Sequence, residues 1–393
     1  MKVGVICRQH PKHFNGGLAI AAWNTARAAA DAGVDVLFMT AERPDGFSGV
    51  DLIDGVRVLW LKGAHHSDYH RWHPVISQVF ATYHTAEKFD IVHCHGYSGA
   101  PIAIRGIDVP ILFHDHGSKE GYAQSVLSDS VLRTHVTATP LNVAGFHDDV
   151  FFRPAQPAGE SDFAHMRQYD RVLATSMISF MDFRTRYMLT NARLFYHCIY
   201  AVREVSSWIS ERSSPPVVAV FAGNLDNPWK AGVYALARLI SIRNQIKLLL
   251  IGEGPECAKF AKANFPQQEY VPHCSERAAL EHLRTADVLF EASTHHIGLN
   301  LTGISAIGLG VPVVAYPTSG HYDLIGENGE AGLVIDPCTD SVGMAIMKVI
   351  AEHDAKSRGA EERFEKMFSP EVCSRRILEL YKEVLDEFAG HRS

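Results

Sequence analysis

The stretch Glu291–Ala315, EASTHHIGLNLTGISAIGLGVPVVA, decides the fold. It reads as the end of a short apolar strand, a glycine-containing loop, a helix, and a second strand announced by Gly310-Val311-Pro312-Val313-Val314. A loop-to-helix step at the end of a parallel strand presents free N–H groups and the positive end of the helix dipole to an anion.

Working outward, the same strand–helix alternation fills both halves of the chain. In the first half, strands are expected at Val3–Cys7, Val34–Thr40, Val56–Leu61, Phe89–His93, Pro110–His114, Arg171–Ala174 and Leu194–Tyr196. An alanine-rich helix runs from Leu18 to Ala32, and Gly33 stands where a left-handed cap belongs. The polar, proline-ended segment 206–216 breaks this pattern and reads as a linker. After it, strands are expected at Val217–Ala222, Ile246–Ile251, Val288–Phe290, Val311–Ala315 and Gly332–Ile335, with a helix at Lys230–Ile242. The reading is α/β: two Rossmann-like domains, 1–205 and 217–369, facing an interdomain cleft. A long amphipathic helix within 370–393 returns toward the first domain. Open sheets of this kind bind ligands at the carboxyl ends of their strands. Residues 63–83 and 117–165 do not follow the pattern and are expected to be irregular substrate loops.

Composition removes several classes. The net charge of −7 argues against a nucleic-acid partner. Seven cysteines without a CxxC pair read as reduced thiols. No stretch approaches the roughly 20 apolar residues of a membrane span, so no transmembrane segment is expected. The expected location is cytoplasmic.

Five places carry candidate chemistry. Asn15-Gly16-Gly17 ends a strand and opens a helix, so its backbone can approach an anion; a plain turn is the alternative. Asn224 follows the first strand of the second half, and Lys230 stands at a helix start, placed either to neutralise a diphosphate or to be a solvated surface cation. Gly252 and Gly254 mark a tight turn after the next strand. His93-Cys94-His95 and His114-Asp115-His116 each end an apolar strand. A His-x-His step puts both rings on one face, but spacing indicates no third ligand, and no metal is assigned.

The order of these motifs resembles the GT4-type GT-B glycosyltransferases: glycine pair, Asp90-Ile91-Val92-His93-Cys94-His95, His114-Asp115, Gly223 through Lys230-Ala231-Gly232, Gly252-Glu253-Gly254-Pro255, and Gly310-Val311-Pro312. The resemblance spans Gly16 to the terminal helix. It implies a GT-B fold and transfer of a sugar from a nucleoside diphosphate sugar with retention of configuration. It also implies no metal and no cofactor beyond the nucleotide sugar as co-substrate. The acceptor, a small molecule, glycan or lipid-linked group, is not indicated. His114, with His116 as the alternative, would sit by the reacting sugar. Gly16, Gly17, Asn224, Lys230, Gly252, Gly254, Glu291, His295, Asn300, Leu301, Thr302 and Ser305 would hold the donor. The family's two signature glutamates fall on Ile297 and Ser305. Either the donor is unusual, or Glu291 or His295 takes over a role, or the chain is a non-catalytic relative that binds a nucleotide sugar or partners an active enzyme.

Overall fold

A computed structural model describes residues 1–14, 16–104, 107–116, 165–185, 187–205, 213–224, 239–253, 265–272, 274–291, 299–317, 320–336 and 341–390. These fall into two compact units. The first takes the described residues of Met1–Ser118, Gly159–Ile199 and Met367–Ser393; the second takes those of Tyr200–Lys366.

Unit 1 is built on an eight-stranded sheet in the order β3-β4-β2-β1-β5-β6-β7-β8. Its strands are β1 (Lys2–Ile6), β2 (Asp35–Ala41), β3 (Gly49–Ile53), β4 (Val56–Leu61), β5 (Ile91–His95), β6 (Ile111–His114), β7 (Arg171–Ala174) and β8 (Ala192–Leu194). All pairings are parallel except the β3–β4 hairpin at one edge. The central strands β5 and β6 are buried at every residue. Both faces must therefore be covered, which is why their sequences run apolar instead of alternating. Chain order reverses between β1 and β5, so this sheet has its switch point there.

Helix α1 (Gly17–Asp31) buries a run of alanines, and Gly33 beyond it takes φ +82°. That left-handed value ends the helix at low steric cost only for glycine. The expected irregular segment at 63–83 is corrected by the structure: most of it is helix α2 (Tyr69–Glu87), capped by the Asp68 carboxylate on the His70 N–H. It buries Trp72, Ile76 and Phe80 at four-residue spacing, one face of a helix. The other expected loop, 117–165, lies almost wholly outside the described residues. Helix α3 (Met177–Thr185) precedes β8. The C-terminal helix, Pro370–Gly390, packs on α1. It is also tied to strand starts by Glu383 and Glu387, which pair with the buried Arg171 and with Arg193.

Unit 2 has a six-stranded, all-parallel sheet in the order β11-β10-β9-β12-β13-β14. Its strands are β9 (Val217–Asn224), β10 (Lys247–Glu253), β11 (Gln268–Val271), β12 (Val288–Glu291), β13 (Val313–Ala315) and β14 (Gly332–Val334). Its described helices begin with the single turn Ala201–Glu204 and run on through α4 (Glu276–Leu283) and α5 (Leu301–Gly308). They continue with α6 (His321–Ile325), α7 (Val342–Ala351) and α8 (His353–Met367). Strand order reverses between β9 and β12, the second switch point. The expected helix Lys230–Ile242 lies largely outside the described residues; its end, Ile240–Ile242, is a 3-10 turn.

Candidate functional site

Each sheet brings candidate residues to the carboxyl ends of its central strands. In unit 2, Asn224 ends β9, Gly252 lies at the end of β10, and Glu291 ends β12. These strands are adjacent in the sheet, in the order β10-β9-β12. Gly252 takes φ +157° where the β9–β10 register shifts, so the glycine serves a β-bulge at the strand end. Glu291 is buried. Asn300 caps α5, its side-chain oxygen accepting from the Thr302 N–H at 2.8 Å. One first-turn N–H of that helix is thus satisfied by the chain itself. Leu301 and Thr302 form the first turn, half-buried. Ser305 is 5% exposed, between the buried Ile304 and Ala306. Gly303 is explained by packing: a Cβ there would come within 2.4 Å of Leu324 on α6. Lys230, Gly254, His295 and Ile297 lie outside the described residues.

In unit 1, Gly16 is the residue before α1, with no side chain capping the helix, and Gly17 begins it. The Gly16 backbone is extended (φ −162°), and a Cβ would meet only Gln9 Oε1 at 3.8 Å. Neither strain nor crowding demands glycine there, and Gly16 has no side chain with which to cap the first turn of α1.

The histidines form one stack. The β5–β6 register sets His95 opposite His114, and β alternation puts His93 on the same face. His93 and His95 stack at 4.6 Å between ring centroids, and His95 and His114 lie at 4.9 Å. His116 lies 4.8 Å from His114 and is stacked at 5.0 Å on His197, which follows β8. His93, His95, His114 and His197 are buried; His116 is half-buried. Burial pushes the imidazoles toward their neutral forms, to a pKa of about 3 for His93 and about 4 for His197. It also holds His95, His114 and His116 well below the usual histidine range, reinforced by neighbouring rings.

Hydrogen bonds order the stack. His93 Nδ1 meets Tyr381 Oη of the C-terminal helix at 2.8 Å. His93 Nε2 meets His114 Nδ1 at 3.2 Å, and His95 Nδ1 meets His116 Nε2 at 2.8 Å. His95 Nε2 and His114 Nε2 are buried without a partner among the described residues.

Sequence spacing gives no third ring, but the sheet supplies one: nitrogens of His93, His95 and His114 lie within 4.8 Å of one another. Tetrahedral zinc needs nitrogens about 3.3 Å apart that converge on one point. Imidazole lone pairs lie in the ring plane. His93 Nε2 and His114 Nδ1 instead point at one another in a hydrogen bond at 3.2 Å, so a proton lies between them and neither lone pair is free for an ion.

Sequence reading missed three residues. His197 and Tyr381 are far from the motifs in sequence. Arg8, just past β1, has its guanidinium 4.5 Å from the Tyr69 ring centroid and donates to the His66 carbonyl. It has no carboxylate partner among the described residues, and its only advance signal is its position at a strand's carboxyl end.

Two doubly wound sheets, each with its reversal point and its candidate residues at strand ends, define the GT-B class of glycosyltransferase. The family described as Glycosyltransferase Family 4 matches residues 15–198, and that described as Glycosyl transferases group 1 matches residues 216–352. The chain belongs to these group 1, family 4 glycosyltransferases. No curated protein matches it in sequence. Among solved structures, it is similar to sucrose-phosphate synthase from Thermosynechococcus elongatus (16% identity, TM-score 0.72, covering 98% of this chain and 99% of that one). It is similar to the catalytic domain of starch synthase IV from Arabidopsis thaliana, bound to ADP and acarbose (14%, TM-score 0.69, 98% and 99%). HepE from Anabaena, in complex with UDP and glucose, is also similar (15%, TM-score 0.66, 98% and 100%). Among the described residues no helix is long and apolar enough to cross a membrane.

Proposed function

We propose that this glycosyltransferase moves a sugar from a nucleoside diphosphate sugar to an acceptor nucleophile, with retention of configuration and without a metal or other cofactor. The observation that carries the reading is the alignment of Asn224, Gly252 and Glu291 on three adjacent strand ends at the β9/β12 reversal, with the amino terminus of α5 following. Ligands bind at such reversals. HepE binds UDP and glucose, and starch synthase IV binds ADP; similar chemistry is proposed here without choosing the base. Lys230 neutralises the leaving diphosphate, and the backbone from Asn300 to Gly303 cradles it. The start of α1 at Gly16-Gly17 offers a further anion contact in this reading. His114, or His116, faces the reacting sugar. Catalysis is then mainly electrostatic, stabilising charge that develops on the leaving group.

One observation favours a second reading, a non-catalytic protein that binds nucleotide sugars: Ser305, where the family carries a glutamate, is buried beside Ile304 and Ala306. Calorimetry with UDP-, GDP-, ADP- and dTDP-sugars tests the first step of both. Binding of one donor class is expected. Lys230→Ala should weaken it roughly 10- to 150-fold, the worth of one charge-assisted contact. No binding by any of the four would overturn both readings. Binding without donor turnover would favour the second.

A further inference from the structure

The proton positions in the histidine stack follow from its hydrogen bonds. Tyr381, His93 and His114 form a continuous line, with Oη to Nδ1 at 2.8 Å and Nε2 to Nδ1 at 3.2 Å. The line ends at His114 Nε2, buried without a partner among the described residues. All three residues are at 0% exposure, so no bulk water intervenes. A neutral imidazole carries one N–H and one bare nitrogen. The line therefore has two states only. If the tyrosine donates, His93 carries its proton on Nε2, His114 accepts at Nδ1, and His114 Nε2 must bear a proton. If the tyrosine accepts, every proton shifts along and His114 Nε2 is bare.

Acid–base strength chooses between them. A phenol is a far better donor than a neutral imidazole N–H, and an imidazole nitrogen is a far better acceptor than a phenol oxygen. We propose that Tyr381 is a positioning residue: by donating to His93 it fixes His114 as the Nε2–H tautomer, so that His114 offers a hydrogen-bond donor and not a base.

The consequence rests on the reading in which His114 faces the transferred sugar. In that reading its Nε2–H, covered in the free protein, would donate to an oxygen of the sugar once the donor uncovers it, and would not remove a proton from the acceptor. This gives the C-terminal helix a chemical task, since it carries Tyr381 back to a strand of unit 1. The competing view is a self-satisfying buried network with no preferred direction.

Long-range 15N–1H NMR on histidine-labelled full-length protein distinguishes the two tautomers directly, and needs no substrate. The wild type should show His114 protonated at Nε2 and unprotonated at Nδ1. Tyr381→Phe removes the directing hydroxyl and should leave His114 as a mixture of both tautomers. A wild-type His114 protonated at Nδ1 overturns the proposal, and this spectrum suffices if the variant does not fold. A folded Tyr381→Phe with His114 unchanged also overturns it. Once a donor is known, an even mixture should about halve kcat/KM for the donor, because only half of the free protein carries the competent tautomer. Failure of the donor screen would leave the NMR result standing, so the two claims fail separately.

Discussion

Lowering the pH should unfold unit 1 well before ordinary acid denaturation. The perturbation acts on buried rings. His10, held among Trp23, Trp60 and Phe38, is pushed to a pKa of about 3 by burial, with Lys12 and His13 adding to the shift. His93 lies at about 3 and His197 at about 4. An unfolded histidine titrates near 6.5. Below that value the unfolded chain takes up protons that the folded rings refuse. Stability is therefore full above about pH 7 and is lost as pH falls from 6.5 toward the folded values. Each such ring contributes a slope of about 1.4 kcal/mol per pH unit, or about 2 kcal/mol by pH 5. Three rings reach about 6 kcal/mol, comparable with the 5–15 kcal/mol that holds a typical domain together. His95, His114 and His116 act in the same direction. Urea denaturation followed by tryptophan fluorescence is a suitable assay, because Trp23, Trp60 and Trp72 lie in unit 1. The midpoint should be flat above about pH 7 and fall steeply below 6.5. His197→Phe should reduce the slope by about 1.4 kcal/mol per pH unit. A midpoint unchanged from about pH 7.5 to 5 would refute the claim that these rings are buried and neutral.

Three substitutions probe the candidate sites. Gly16→Ser has steric room and supplies a missing cap, so it should raise the stability of unit 1 by a few tenths of a kcal/mol while weakening donor binding, read by melting and calorimetry; unchanged binding would remove Gly16 from the site. Ser305→Glu places a carboxylate at a buried position and should cost several kcal/mol in the free protein, seen as a lowered melting temperature; an unaltered melt would show that Ser305 faces solvent or a cation. Gly332→Ala has φ +154° and a Cβ 1.8 Å from the Val313 carbonyl oxygen, so unit 2 should lose at least about 2 kcal/mol by denaturant titration.

The strand–helix alternation was legible because parallel central strands carry unbroken apolar runs, as at Val3–Ile6 and Leu248–Ile251. The cap at Gly33 was legible for a local reason, the left-handed φ. Helix α2 was not, because the His, Trp and Tyr residues among 63–83 mask the four-residue spacing of Trp72, Ile76 and Phe80. The edge strand β3 buries neither face fully, so its pattern is weak. Within the site, Asn224, Gly252 and Glu291 could be placed at strand ends because motif position tracks strand position. The histidine stack could not be foreseen as a unit. It depends on the pairing of His95 with His114 across β5 and β6, and on Tyr381 arriving from a helix 288 residues further along the chain than His93. Register and return of the chain are properties of the folded sheet, not of any local spacing.

The central claim is that this chain uses a nucleoside diphosphate sugar as donor. Its most direct test is the release of nucleoside diphosphate from UDP-, GDP-, ADP- and dTDP-sugars, followed with purified wild type and with Lys230→Ala. The account predicts release from one donor class, largely lost in the variant. No release from any donor, or equal release by both proteins, would contradict it.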